Sequence, residues 1–148
     1  MQTKCENPPD HSGAGKATVY FDGGCPLCTL EIEHYASQPG SEQLDFVDVS
    51  DQEVELAPDL SLLAARKRFH VRLADGTLVS GARAFVAIWN VLPGWYWAAR
   101  MARIPGGKSI LEGAYRLFLP VRPMLSKLAG KLGAKAANPC SDHKTTWQ

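Results

Sequence analysis

The 148 residues are enough for one domain with a sizeable core, and 45% hydrophobic and 21% charged residues are ordinary for a globular protein. No apolar run approaches the ~18 residues of a membrane span, and residues 1–17 hold no hydrophobic block typical of a secretory signal peptide. We therefore expect a cytoplasmic protein, in which a close cysteine pair is more often catalytic or metal-binding than structural.

Charge is unevenly distributed along the chain. Residues 1–92 hold 7 Lys and Arg against 13 Asp and Glu, a net charge of −6, whereas residues 93–148 hold 9 against 2, a net charge of +7. Such a basic region is typical of surfaces that contact a membrane or an acidic partner, and it also arises when basic helices dock on an acidic body. No nucleic-acid-binding motif accompanies it, so we do not expect a nucleic-acid partner.

The first part of the chain predicts a strand, a helix and a second strand. Residues 1–16 are rich in Pro, Gly and polar side chains and predict a flexible tail. Residues 17–21 form an apolar run typical of a buried strand, and an amphipathic helix is predicted from residue 26 to about 37. Residues 44–49 predict the second strand, and this order favours parallel pairing of the two strands.

The next part completes an α/β core over residues 17–92. Residues 60–68 predict a helix, residues 69–73 and 77–80 predict a hairpin, and residues 82–92 predict another helix. The order of elements is βαβαββα, which predicts a central sheet with helices on both faces.

Residues 93–135 predict a helical extension that packs on the core, and residues 136–148 a second flexible tail. Helical segments at 95–104 and 109–119 are followed by Pro120 and Pro123, which predict an interruption, and a last helix is predicted from about 123 to 132. The alternative for this extension is a basic amphipathic surface that lies on a membrane. In the last helix we expect the lysines to face outward and four apolar residues to face inward: Met124, Leu125, Leu128 and Leu132.

Cys25 and Cys28 follow the first predicted strand and open the first predicted helix. Two thiols at this spacing can close a disulfide ring and reopen it, and the N–H groups and positive dipole end of the helix favour a thiolate at Cys25. Pro26 suits a first helical position, because its missing N–H costs nothing there. We predict a redox dithiol in which Cys25, the more exposed of the two, attacks a substrate disulfide and Cys28 resolves the mixed disulfide.

Two motifs resemble those of the DCC-type thiol–disulfide oxidoreductases, small thioredoxin-like proteins named for an Asp-Cys-Cys set. The first motif is Tyr20-x-Asp22-Gly23-x-Cys25-x-x-Cys28. The second is His70-Val71-Arg72-x-x-Asp75-Gly76, followed by Gly81-Ala82-x-Ala84-Phe85. The resemblance covers roughly residues 18–92 and implies a thioredoxin-like fold and thiol–disulfide oxidoreductase activity. The predicted partner is a disulfide-bearing protein or a glutathione-type small thiol, and no cofactor is predicted.

Asp22, Pro26 and His70 are candidate modulators of the cysteine pair. Three roles are open for Asp22. Its negative charge would oppose ionisation of Cys25, or its carboxylate would act as a general base that relays a proton to or from Cys28. Otherwise its side chain holds the Gly23-Gly24 turn. Pro26 lies between the cysteines, where residues tune the redox potential. His70 opens the third strand, close to where thioredoxins carry a cis-proline. When charged it would stabilise the thiolate, and otherwise it is a structural histidine. No proline stands there, which argues against general protein-disulfide activity.

Two other functions fit the same sequence. Cys25 and Cys28 would form a Cys₃His zinc set with Cys140 and His143, although 111 residues separate Cys28 from Cys140. The other is a non-catalytic interaction module whose basic C-terminal helices bind a partner. We favour the redox function without a bound metal, because the second half of the zinc set lies in a predicted tail.

Overall fold

A four-stranded sheet organises residues 15–133, the part of the chain that the computed structural model describes. The strands lie in the order β2-β1-β3-β4, with β1 parallel to β2 and antiparallel to β3, and β3 antiparallel to β4. Their bounds are β1 Ala17–Phe21, β2 Leu44–Asp48, β3 His70–Arg72 and β4 Leu78–Ser80. The helices are α1 Pro26–Ala36, α2 Leu62–Lys67, α3 Ala82–Val91, α4 Tyr96–Ala102 and α5 Gly107–Lys131.

The predicted α/β fold is confirmed as a thioredoxin-like sheet of βαβαββα order with C-terminal helices. Successive side chains of β1 point to opposite faces of the sheet, as in any strand. Val19 packs with Ile32 of α1 and Ile88 of α3 on one face. Tyr20 packs with Leu60 and with Ala65 of α2 on the other face. Because β1 is buried on both faces, its C-terminal end, which leads to the cysteines, is held at the centre of the fold.

The turn between β1 and α1 is tied to the end of β2. The N–H groups of Gly23 and Ser50 both donate to Asp48 Oδ1, each at 2.8 Å. A Cβ atom at Gly23 would overlap the Asp48 carboxylate and displace it from these hydrogen bonds, so this position favours glycine. The first turn of α1 is therefore fixed in position relative to the sheet.

The predicted interruption at Pro120 and Pro123 is wrong, because both prolines lie inside the continuous helix α5. Proline removes a backbone N–H and crowds the preceding turn, which ordinarily kinks or ends a helix. Here both rings are exposed to solvent, and α5 packs against α1 and α3. Tertiary packing therefore overrides the local helix-breaking tendency.

The predicted inward face of the last helix is also wrong. Three of its four residues are exposed and only Leu125 is half-buried; the exposed fractions are 65% for Met124, 53% for Leu128 and 81% for Leu132. Polar residues of α5, Arg122 and Ser126, face the first helix instead. The prediction assumed that the most hydrophobic side of this helix faces the core. The side of α5 that contacts α1 at the cysteines carries polar residues instead.

The N-terminal half of α5 is fixed to the core by two side chains. Glu112 accepts from Arg68 Nη2 at 2.6 Å and from the backbone N–H of Ala82 at 3.2 Å, the first residue of α3. Tyr115 is buried, and its hydroxyl accepts from the N–H of Phe69 at 3.0 Å. These contacts set the direction in which α5 runs towards the cysteines. Within residues 15–133, no helix combines the length and apolar character needed to cross a membrane.

Candidate functional site

Cys25 and Cys28 lie together at the N-terminus of α1. Cys25 is the N-cap residue, Pro26 is the first helical residue, and the N–H of Cys28 donates to Cys25 Sγ at 3.4 Å. The two sulfurs are 2.7 Å apart, and neither cysteine is in a disulfide bond. Because a disulfide bond is about 2.05 Å long, a small movement of either side chain is enough to form it.

Helix α5 brings two further side chains to the sulfurs. Ser126 Oγ lies 3.5 Å from Cys25 Sγ, and Arg122 Nη2 donates to Cys28 Sγ at 2.8 Å. Along the chain, Ser126 is 101 residues from Cys25 and Arg122 is 94 residues from Cys28. Neither residue was predicted from the sequence to belong to the site. The signal in the sequence is faint: an arginine and a serine four residues apart share one face of a helix.

The two thiols differ in acidity. The thiol of Cys28 donates to Cys25 Sγ, and this bond is the main reason that the pKa of Cys25 is lowered to about 5. Burial opposes this change, while Ser126, the Cys28 N–H and the charge of Arg122 favour it. The same bond, together with burial, raises the pKa of Cys28. The pair therefore holds a thiolate at Cys25 and a proton at Cys28.

Cys25 is less exposed than predicted. It keeps 8% of its accessible surface, whereas Cys28 is half-buried, so the expectation that Cys25 would be the more exposed thiol is wrong. The reason is α5, which packs against α1 and places Ser126 beside Cys25.

A carboxyl group lies one helical turn after Cys28. Burial raises the pKa of Glu31 to about 7, Tyr35 and Arg122 oppose this change, and the charge of Cys25 adds to it. The Glu31 carboxylate accepts from the Tyr35 hydroxyl at 3.0 Å, and that hydroxyl accepts from Trp89 Nε1 at 3.2 Å. This chain of hydrogen bonds joins α1 to α3 beside the cysteines, and sequence reasoning did not single it out.

Asp22 and His70 make contacts that are structural. Asp22 Oδ1 accepts from the N–H of Gly24 at 3.0 Å, as expected if Asp22 holds the turn. His70 Nδ1 lies 2.7 Å from the carbonyl oxygen of Arg68, and His70 pairs with Tyr20 across the sheet. Burial lowers the pKa of His70, which favours a neutral ring. The largest contributions to the pKa of Cys25 come from Cys28, burial, Ser126 and Arg122. A role for either residue in tuning the cysteines stays a prediction.

The proposed zinc set is only half represented in the described part of the chain. Cys140 and His143 lie outside it. Within residues 15–133, no three His, Cys, Asp or Glu side chains are arranged to hold a metal ion.

A family model described as DCC1-like thiol-disulfide oxidoreductase matches residues 19–128. The chain belongs to this family. No curated protein and no solved structure was found to match the chain. The family match runs well beyond residue 92, where the resemblance seen in the sequence ended, and it includes Arg122 and Ser126. In this DCC1-like protein, the matched residues therefore include most of α5, the helix that packs beside the cysteines.

Alkylation should report the acidity of Cys25 in this DCC1-like protein. We expect iodoacetamide to label Cys25 of the reduced protein at a rate that rises through about pH 5 and is level by pH 7, because the thiolate is the reactive form. Mass spectrometry assigns the label to Cys25. Ser126→Ala is expected to move the midpoint up by about one pH unit, since it removes one hydrogen bond to the thiolate. A midpoint near that of an ordinary cysteine, about 8.5, would contradict this assignment.

Proposed function

We propose that this protein is a thiol–disulfide oxidoreductase in which Cys25 is the nucleophile and Cys28 the resolving thiol. The observation that supports the proposal best is the asymmetry of the pair. The two sulfurs are 2.7 Å apart, and the hydrogen bond from Cys28 lowers the pKa of Cys25, at the helix N-terminus, to about 5. Such a thiol is ionised at neutral pH and available for attack.

The reaction has two exchange steps. The Cys25 thiolate attacks one sulfur of a substrate disulfide, a mixed disulfide forms, and the other substrate sulfur leaves as a thiolate. Cys28 then gives its proton to the thiolate released in the first step, or to water, and the Cys28 thiolate attacks Cys25 Sγ, so that the second substrate sulfur leaves as a thiolate. The substrate gains two electrons and the protein ends with a Cys25–Cys28 disulfide. The same steps in reverse oxidise a substrate dithiol.

Arg122 is proposed to assist the second step. While Cys25 is bound to substrate, it no longer accepts the Cys28 proton, so Cys28 must ionise in a half-buried position. The guanidinium group, which donates to Cys28 Sγ at 2.8 Å, offers a charge and a hydrogen bond that stabilise the Cys28 thiolate. The same charge contributes to the low pKa of Cys25 in the free enzyme.

The proposed substrate is a small or extended disulfide, such as one formed by a glutathione-type thiol. Cys25 is only 8% exposed, so a flat protein surface has little access to it. The positive charge of Arg122 beside the sulfurs favours a thiol that carries carboxylates. A disulfide-bearing protein remains the alternative substrate class, provided that it presents its disulfide on an extended segment.

Trapping of mixed disulfides tests this proposal. We expect Cys28→Ala to accumulate a mixed disulfide on Cys25 when it is incubated with oxidised glutathione or a cell extract, because the resolving thiol is missing. Mass spectrometry identifies the attached thiol and so separates small-molecule from protein substrates. Cys25→Ser in the same background is the matched control and should trap nothing. Equal trapping with and without Cys25 would refute the assigned roles.

A further inference from the structure

The side of α5 that faces away from the core carries an apolar stripe. Its members follow one another at spacings of seven, four, three, four and four residues, which places them on an arc of about 80° along about 33 Å of helix. They are Ile110, Leu117, Val121, Met124 and Leu128 of α5 and Leu132 at its C-cap, with exposed fractions of 73%, 76%, 41%, 65%, 53% and 81%. A continuous row of this length differs from the single apolar residues that are normal on a protein surface.

The orientation of the stripe is fixed by the other side of α5. Glu112 and Tyr115 bind the core, and Arg122 and Ser126 contact the cysteines. The helix cannot turn its apolar stripe inward without breaking these contacts. Within residues 15–133 the stripe is therefore a surface that the fold presents to solvent.

The charges around the stripe favour an anionic partner. Residues 96–131, which include α4 and α5, hold seven Lys and Arg and a single acidic residue, Glu112. Lys127 and Lys131 are exposed and border the stripe on one side. Acidic residues are concentrated in residues 1–92, so the charge of the chain is separated into an acidic body and a basic helical region.

Helix α4 and the turn that follows it expose three further large apolar side chains, two on the helix and one just after its end. Trp97, Met101 and Ile104 are 65%, 59% and 53% exposed. An exposed apolar helix face bordered by lysines, as on α5, is the pattern of helices that lie in a membrane interface, and the exposed tryptophan of α4 is the amphipathic kind of side chain that such an interface accepts. There the apolar side chains enter the acyl region and the lysines extend to the anionic head groups.

We propose that the stripe of α5 binds the surface of an anionic lipid bilayer. The opposite side of the same helix then holds Arg122 and Ser126 at the cysteines, so the redox site faces away from the lipid. A second copy of the chain fits this surface less well, because pairing two stripes would bring two basic helical regions together.

Vesicle sedimentation with the full chain tests the proposal. We expect binding to vesicles of phosphatidylcholine with about 30% phosphatidylglycerol, weak binding to phosphatidylcholine alone, and a decrease as salt is added. Equal binding to both vesicle types, or binding to neither, would overturn it. A dimer that forms without lipid, is lost on substitution of the stripe, and does not bind vesicles would assign the stripe to a second copy instead.

Two sets of variants separate the apolar from the charged contribution. Leu117→Gln, Met124→Gln and Leu128→Gln together are expected to lower the affinity for anionic vesicles at least about tenfold. Lys127→Gln with Lys131→Gln is expected to lower it about 30-fold at low salt, and to change binding to neutral vesicles little. Leu63→Gln with Lys67→Gln on α2, where Leu63 is 65% exposed, is the matched control and should bind as the parent does. Unchanged binding of both α5 variants would also refute the proposal.

Discussion

Replacing Arg122 by methionine is expected to slow resolution of the mixed disulfide by about 10- to 100-fold, although Cys28 is still present. The variant removes a 2.8 Å hydrogen bond and a positive charge from the sulfur that must ionise in this step. Methionine keeps much of the apolar stem that arginine packs in its half-buried position. The measurement is a quenched time course after oxidised glutathione is added to the reduced protein, with the mixed disulfide quantified by mass spectrometry.

Two controls make the Arg122 result specific. Arg116→Met changes an arginine of the same helix whose side chain is 71% exposed and which contacts Glu112, so it should resolve the mixed disulfide at the parental rate. Arg122→Lys keeps the positive charge and is expected to recover part of the rate. If Arg122→Met resolves as fast as Arg116→Met, then Arg122 has no part in the second step.

The stability of the reduced protein should rise with pH relative to that of the oxidised protein. The pKa of Cys25 is about 5 in the fold and about 8.5 in an unfolded chain. Because folding lowers this pKa, the thiolate contributes fully to stability above about pH 8.5, and the contribution is lost as the pH falls through 5. Between pH 5 and pH 7 the expected gain in the free energy of unfolding is on the order of 2 kcal/mol.

Urea unfolding of both redox forms at pH 5, 7 and 8 measures this gain. The oxidised protein is the matched control, since its Cys25 cannot titrate while most other ionisable groups still do. A difference in stability between the two forms that stays constant over this range would contradict the low pKa of Cys25. If the gain is found, the thiolate stabilises the reduced state and makes the disulfide a stronger oxidant.

The order of the core elements could be predicted because each one depends on local signals. The apolar run before Gly23 indicated β1, and the helical spacing of the apolar residues after Cys25 indicated α1. The Asp75-Gly76 turn indicated the hairpin. Both cysteines were predicted to be at the start of α1 for the same reason, since a turn and a first-turn proline are read from neighbouring residues.

The rest of the site depends on contacts between distant parts of the chain. Nothing near Arg122 in the sequence shows that its side chain ends at Cys28, because that contact requires Glu112 and Tyr115 to fix α5 on the core first. The exposure of Cys25 was predicted wrongly for the same reason. Without α5, Cys25 at the start of α1 would be exposed to solvent. The packing of α5 against α1 is what buries it.

The distance along the chain between the cysteines and α5 also has a consequence during synthesis. A ribosome delivers β1 and α1 before α5, about a hundred residues earlier in the order of translation. Until Ser126 and Arg122 have emerged and docked, Cys25 lacks two of the groups that lower its pKa. In the nascent polypeptide the Cys25 thiol is therefore less acidic. It reaches its final acidity only after translation has released α5 and this helix has packed beside it.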